Sequence, residues 1–397
     1  MELLIAIPAL NEEASLAEII ERTLAAGEAI VASGVVDVVR VTVVNDGSTD
    51  GTGAIARSYE GRIRVIEFAT NRGYGAAIKC AWSDGDAELL GVLDADGTCD
   101  PAFFGPLCRA IAEGADVALG CRCNPQSHMP LVRRIGNRGF AWLLGILANR
   151  TVRDTASGMR VIRRACLPDL LPLPDGLDFT PAMSARALLS EKVRIVELDM
   201  PYEERQGHSK LHVLRDGARF LRTIARAAFL LRPARPLSLA AFTCLVAGAT
   251  LMVTPSVHYV LHREVQEWMI YRFVVAELLG VSWAVLLCGA YLAQRIVAVA
   301  VPGLAPAPSR VRLVATAMRP RIFWPLVATL TCAGSWLVVP AALQLVRSGS
   351  IFEHWSRFIA ASFLAATAVI LVTTRLLDVV LTLLGSHRAY LESNERH

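Results

Sequence analysis

Hydrophobic and polar positions change their rhythm near residue 236. Before it, short apolar runs alternate with segments of helical period. The runs at 2–7, 38–44, 62–68, 88–93 and 115–120 predict strands, and the segments near 12–26, 50–59, 74–83 and 101–113 predict helices between them. Strands separated by helices imply an α/β domain with a doubly wound, mostly parallel sheet. After Pro236 come four apolar stretches, roughly 237–261, 271–301, 322–346 and 357–385. Each reaches the roughly 20 residues needed to cross a bilayer core of about 30 Å, so an all-α transmembrane domain of four helices is expected there.

Between the two patterns, Arg215, Arg219, Arg222 and Arg226 recur three or four apart among Leu214, Phe220, Leu221, Ile224 and Phe229. That spacing gives one basic and one apolar helix face, which suits a helix lying in the headgroups of an anionic leaflet. Leu131–Leu147 is a second such segment, opening with Arg133, Arg134 and Arg138 and carrying Trp142. Either helix would also suit ordinary packing on the sheet. The expected organisation is therefore 1–210 as the α/β domain, 211–235 as interfacial helices and 236–397 as the membrane domain.

In a doubly wound sheet, ligands bind beyond the carboxyl ends of the strands. Polar residues gather at those ends: Pro8 to Glu12, Asn45-Asp46-Gly47-Ser48, and Asp94-Ala95-Asp96. Two carboxylates one residue apart suit a hard cation, Mg²⁺ or Mn²⁺, that also grips a diphosphate. Asn11 and Ser48 also suit helix N-caps. Asp46, ending a valine-rich strand, can accept a hydrogen bond from a base N–H. Gly73-Tyr74-Gly75 imitates a dinucleotide fingerprint but lacks the third glycine and does not follow the first strand. Lys79, a few residues on, is a candidate cation for a diphosphate, or a solvated surface lysine.

These strings resemble a known family. Ile7-Pro8-Ala9-Leu10-Asn11-Glu12-Glu13, Val44-Asn45-Asp46-Gly47-Ser48-Thr49-Asp50, Asn71-Arg72-Gly73-Tyr74-Gly75 and Leu93-Asp94-Ala95-Asp96-Gly97 recur in this order in family 2 glycosyltransferases of the GT-A fold. Asp154-Thr155-Ala156-Ser157-Gly158-Met159-Arg160 and Arg205-Gln206-Gly207-His208-Ser209-Lys210-Leu211 are similar to two further stretches of polyprenyl-phosphate (dolichol-phosphate) sugar synthases. The resemblance covers roughly residues 3–230. It implies that Pro8, Asn11, Glu12 and Asp46 line the nucleotide pocket, with Lys79 beside the diphosphate. It implies that Asp94 and Asp96 hold the metal and donor diphosphate. Arg122, Arg133, Arg205, Ser209 and Lys210 would contact donor or acceptor phosphates, and Asp154 would sit near the reacting centre. Gly97-Thr98-Cys99 replaces the usual Leu-Gln after the acids, so a third metal ligand is unassigned. Met159 replaces the usual Phe.

The function so implied is inverting transfer of one sugar from a UDP- or GDP-sugar to a polyprenyl phosphate. Asp154 is expected to orient the acceptor or support the arginines, with proton abstraction second; a salt bridge to Arg153 or Arg160 is its alternative role. A processive polysaccharide synthase is the first rival, but no Gln-x-x-Arg-Trp string occurs. A non-catalytic nucleotide-sugar-binding scaffold or transport protein is the second. The net charge of +4, without a concentrated basic and aromatic face, argues against a nucleic-acid partner. Nine scattered cysteines suggest reduced thiols. From the acidic start and the arginines at 310, 312, 319 and 321, the first domain, the loop between spans two and three, and the C-terminus are expected in the cytoplasm. The motifs do not name the sugar or the acceptor's length, nor say whether the chain forms a homo-oligomer.

Overall fold

In the computed structural model, the described residues are 1–125, 127–203, 213–300, 309–351 and 353–394. They fall into two compact units, 1–228 and 229–397. The first holds seven strands: β1 (Glu2–Ala9), β2 (Val38–Asn45), β3 (Arg64–Glu67), β4 (Leu89–Val92), β5 (Val117–Cys121), β6 (Arg160–Arg163) and β7 (Ile195–Asp199). They form one sheet in the order β3-β2-β1-β4-β6-β5-β7. Six of them share one direction; β6 alone runs antiparallel, between β4 and β5. This is the mostly parallel α/β sheet that the alternation of strands and helices predicts.

The helices of this unit are α1 (Leu16–Ala32), α2 (Thr52–Ser58), α3 (Tyr74–Ser83), α4 (Phe104–Ala112), α5 (Leu131–Ala148), α6 (Leu167–Leu170), α7 (Phe179–Leu189) and α8 (Val213–Leu231), the last reaching just past the division between the units. Strand periodicity explains how both faces of the sheet are covered. Leu3, Ile5 and Ile7 of β1 point into a core with Leu16, Ile19 and Ile20 of α1 and Phe104 and Leu107 of α4. Leu4 and Ala6 point the other way, onto Ile78 and Trp82 of α3 and Phe179 and Met183 of α7. A strand buried on both faces reads as a continuous apolar run, as Leu3 to Ala9 does.

Helix α1 begins later than the pattern suggests. Leu10 to Ser15 form a loop, and Ser15 Oγ donates to the Ala95 carbonyl at 2.6 Å, tying the helix start to the loop after β4. Strands β6 and β7 are absent from the sequence prediction. Arg160-Val161-Ile162-Arg163 is four residues long and flanked by charge, too short for a period to be recognised.

The second unit contains α9 (Ala234–His262), α10 (Ile270–Ala300), α11 (Ser309–Ala317), α12 (Pro320–Ser348) and α13 (Trp355–Asn394). Four helical spans, Ala234–His262, Glu267–Ala300, Pro320–Ser348 and Trp355–Arg388, are long and apolar enough to cross a membrane. They coincide with the four apolar stretches. Large apolar side chains remain exposed along them, among them Val260, Leu278, Trp336 and Val369, as expected of helices whose solvent is lipid.

Candidate active site

The carboxyl ends of β1, β2, β4 and β5 lie at one edge of the sheet, and the antiparallel β6 brings the loop before it, 154–159, to the same edge. A cavity of about 500 Å³ opens there. Pro8, Glu12, Asp46, Asp94, Asp96, Arg122 and Arg133 all line it. The end of β1, four separate loops and helix α5 thus deliver seven of the residues that the motifs single out.

Asp94 is held on two sides. Tyr74 Oη donates to Asp94 Oδ1 at 2.7 Å, and the Tyr74 ring packs edge-on against Phe179. Burial, then the charge of Asp94, pushes the Tyr74 phenol well above its ordinary pKa, so it stays a proton donor. On the other side lies Gly158: a Cβ there would fall 2.3 Å from Asp94 Oδ2. Asp96 Oδ1 accepts from the backbone N–H of Thr98 at 3.2 Å and its hydroxyl at 2.6 Å. Thr98 thereby orients the acid where the sequence departs from the family's Leu-Gln. Two hard oxygen donors on one wall fit a divalent cation. Among the described residues no group of three His, Cys, Asp or Glu side chains is placed to enclose one. The donor set therefore suits Mg²⁺ or Mn²⁺ completed by water and phosphate oxygens.

Asp46 is nearly fully buried. Its carboxylate accepts from the backbone N–H of Arg72 at 2.6 Å and of Gly73 at 2.9 Å, which draws the 71–73 loop against the cavity. Asn71, Gly73 and Tyr74 of that loop join the lining. The glycines have a local reason. Gly73 sits at φ 105°, and a Cβ there or at Gly75 would fall 2.4 or 2.2 Å from the carbonyls of Asp175 and Pro174. They permit a close backbone crossing rather than a dinucleotide turn.

Arg122 faces Asp154 in a fork. Arg122 Nε and Nη2 donate to Asp154 Oδ2 and Oδ1 at 2.8 and 2.9 Å, and the Arg122 backbone N–H adds a third bond at 2.9 Å. Asn137 Nδ2 donates to Oδ1 at 2.7 Å. Burial pushes the Asp154 carboxyl up, but the charge and hydrogen bonds of Arg122 outweigh it, and the group lies below its ordinary range. For Arg122, burial works against the charge, yet Asp154 holds its pKa well above normal. The Arg122 guanidinium also stacks 5.4 Å from the centre of the Tyr202 ring.

These contacts agree with one expectation and correct two others. Asp154 is fully buried and its bonds hold Arg122, in line with the expected support of the arginines; the alternative salt bridge to Arg153 or Arg160 does not form. Arg153 pairs with Asp199 instead, and Arg160 donates to the Ser157 and Thr180 carbonyls. Lys79 does not line the cavity: its Nζ lies 2.6 Å from Asp175 and 2.9 Å from the Leu173 carbonyl, tying α3 to the crossing loop. Asn11 caps no helix and is not in the lining. It sits at φ 49° and its Oδ1 accepts from the Thr49 backbone N–H at 2.8 Å, stitching the β1 and β2 loops together. Arg205, Ser209 and Lys210 lie outside the described residues. Sequence reasoning missed Tyr74, Asn137 and Gly158 as site residues; Tyr74 and Gly158 stand inside quoted motifs, whereas a buried Asn on a helix carries no signal of its own.

The family model for glycosyl transferase family 2 matches residues 4–171. A dolichyl-phosphate hexose transferase of Haloferax volcanii is 34% identical over 209 residues, which cover 50% of this chain and 88% of that protein. The chain belongs to glycosyl transferase family 2. A second relative of this glycosyltransferase, a dolichyl-phosphate beta-glucosyltransferase of Drosophila melanogaster, is 30% identical over 179 residues, covering 41% of this chain and 55% of that protein. A glucosyl-3-phosphoglycerate synthase structure from Mycobacterium tuberculosis aligns with a TM-score of 0.45 at 18% identity, over 57% of this chain and 80% of that one.

Proposed function

We propose that this family 2 glycosyltransferase moves one sugar from a nucleoside-diphosphate sugar to a polyprenyl phosphate, inverting the anomeric carbon. One observation carries the reading: the acids Asp94 and Asp96 share a cavity with the cations Arg122 and Arg133. Such a wall suits a diphosphate leaving group and a second, phosphorylated substrate. The names of the Haloferax and Drosophila relatives support a hexose donor and a dolichyl-type acceptor.

In this reading Pro8, Glu12 and Asp46 hold the nucleotide, and Asn11 keeps the two loops around it together. Asp94 and Asp96 hold Mg²⁺ or Mn²⁺, which when bound neutralises charge developing on the leaving diphosphate. Arg122 and Arg133, with Arg205, Ser209 and Lys210, bind phosphate oxygens. Fixed cations facing developing charge lower the barrier because their orientation is set before the reaction. Asp154 sets that orientation for Arg122. A phosphate monoester, with a second pKa of about 6, is largely ionised at neutral pH and attacks without a general base. The saturated hydrogen bonding of Asp154 agrees with this.

The acceptor is reached at a membrane surface. Helix α5 buries Ala141, Leu144 and Leu147 and leaves Leu131, Ile135, Trp142 and Ile146 exposed on one stripe beside Arg138. Its outward apolar stripe suits the headgroup boundary. Helix α8 buries Phe220 and Ile224 and leaves Arg222 and Arg226 exposed with Leu221. The spans anchor the enzyme, with the catalytic domain and C-terminus on the cytoplasmic side. The test combines membranes containing the protein, polyprenyl phosphate, Mg²⁺ or Mn²⁺, and labelled UDP- and GDP-sugars. Organic-soluble label with one donor, absent in Asp96→Asn, is the expected result. Label from no donor in the lipid phase would sink the proposal.

A further inference from the structure

The second unit carries a charge arrangement that the transfer reaction does not use. Helices α10 and α13 run parallel and in register: Glu277 meets Ser362, Tyr291 and Arg295 meet Asp378, and Arg388 meets the carbonyls of Val299 and Ala300. Asp378 is 5% exposed and stands at the centre of this seam. Its Oδ1 accepts from Tyr291 Oη at 2.7 Å and from Arg295 Nε at 3.0 Å, and its Oδ2 accepts from Arg375 Nη1 at 3.2 Å.

One carboxylate is therefore shared by two guanidiniums. No acid follows Glu277 on α10, and Asp378 is the only acid of α13 before Glu392. Two guanidiniums on one carboxylate leave a local excess of positive charge around Asp378. Unbalanced charge within or at the edge of a bilayer is expensive, and an ionisable group there points to a functional site by default. The side chains are also placed for a ligand: that of Asp378 is 7% exposed, whereas those of Arg295 and Arg375 are 38% and 28% exposed. The acid is inside and the cations are at the surface. Around them Ile296, Leu376, Leu377 and Val380 are exposed apolar side chains on the same two helices.

Depth identifies the ligand. Arg375 lies 20 residues beyond Trp355, where α13 starts. At 1.5 Å per residue that is about 30 Å, the thickness of a hydrocarbon core. The span Trp355–Arg388 is longer than that core, so with Trp355 as the aromatic anchor at one boundary Arg375 reaches the other, where lipid phosphates lie. Guanidinium binds phosphate through paired N–H donors.

We propose that Arg295 and Arg375 form a lipid-phosphate site on the membrane domain, with Asp378 as the residue that positions both. Its ligand is a phosphate oxyanion carried on a hydrocarbon chain that lies along the exposed apolar side chains. A bulk anionic phospholipid and a polyprenyl phosphate share that chemistry. The proposal rests on α10 and α13 spanning a membrane and does not depend on the transfer reaction.

The test is native mass spectrometry of the full-length protein in a mild detergent, titrated with phosphatidylglycerol, polyprenyl phosphate and phosphate-free polyprenol. Arg375→Gln removes the excess charge and leaves the Arg295–Asp378 pair intact, so the fold is kept; thermal unfolding confirms it. A charge-assisted hydrogen bond contributes roughly 1.5 kcal/mol or more, so a lipid phosphate should be lost by about tenfold in affinity. Arg375→Lys should fall between the two. Weakened binding of both lipids identifies a general phosphate site, and of one lipid alone its preferred source; either outcome supports the proposal. Undiminished binding of both by folded Arg375→Gln, or equal binding of polyprenol, would overturn it. Because the readout is binding, inactivity of the transferase leaves this result interpretable.

Discussion

Gly158→Ala is expected to silence the enzyme while sparing its fold. The new Cβ would meet Asp94 Oδ2 at 2.3 Å and both Cγ and Oδ1 at 2.8 Å. Ordinary contact requires the carboxylate to retreat by roughly 1 Å. Asp94 has one rotatable arm for that retreat, and turning it breaks the 2.7 Å bond from Tyr74. A misplacement of about 1 Å in catalytic geometry costs on the order of 10²-fold in rate, or about 2.7 kcal/mol of barrier. The stability penalty should be smaller, because the displaced group faces a cavity and not packed core. Gly120→Ala is the control: its Cβ would fall 2.6 Å from Met200 Sδ, a comparable clash in residues that do not line the cavity. The assay measures kcat, the metal concentration for half-activation, and the thermal midpoint for both variants. Gly158→Ala should lose rate at near-normal melting, and Gly120→Ala should lose melting temperature at near-normal rate. A Gly158→Ala enzyme within about threefold of wild-type rate, with unchanged metal activation, would refute the idea that the position of Asp94 governs the chemistry.

Other outcomes follow from the same contacts. Tyr74→Phe removes a donor to a charged acceptor, worth roughly 1.5–3 kcal/mol, so half-activation should need about tenfold more metal while kcat changes less; equal shifts in both would mean a general structural role. Asp154→Ala leaves Arg122 buried without its partner and should cost about 3–5 kcal/mol of stability, read as a lowered thermal midpoint. The pairing carries a pH signature, because the folded carboxyl lies below its unfolded value. The contribution is complete above about pH 4, the unfolded value, and is lost as pH falls through the lower folded one. The stability gap between wild type and Asp154→Asn should be flat from neutral pH to about 5 and shrink in stronger acid; a gap independent of pH would contradict the ion pair. Lys79→Ala should leave the donor KM within about twofold, since a partly exposed lysine pair contributes little and Lys79 is not among the residues lining the cavity; a large rise in KM would return it to the donor site.

The sequence by itself determined the architecture of the first 120 residues and the four apolar helices, because both rest on periodicity. A parallel strand buried on two faces and a span in lipid each impose an apolar run whose length is readable residue by residue. It also placed Pro8, Glu12, Asp46, Asp94 and Asp96 together, since strand ends in such a sheet converge on one edge. Tertiary structure decided the rest. β6 is four residues long and takes its place through pairing with β4 and β5, which no local pattern encodes. The partner of Asp154 is 32 residues away rather than in the adjacent chain, because β6 reverses direction and lays its leading loop beside the end of β5. Lys79 and the glycines around Tyr74 answer to the loop at 173–176, which lies roughly a hundred residues further along the chain. Charge type and spacing say which chemistry is available; which charge meets which is settled only when distant segments are packed, as when Asp154 meets Arg122 while the adjacent Arg153 pairs with Asp199.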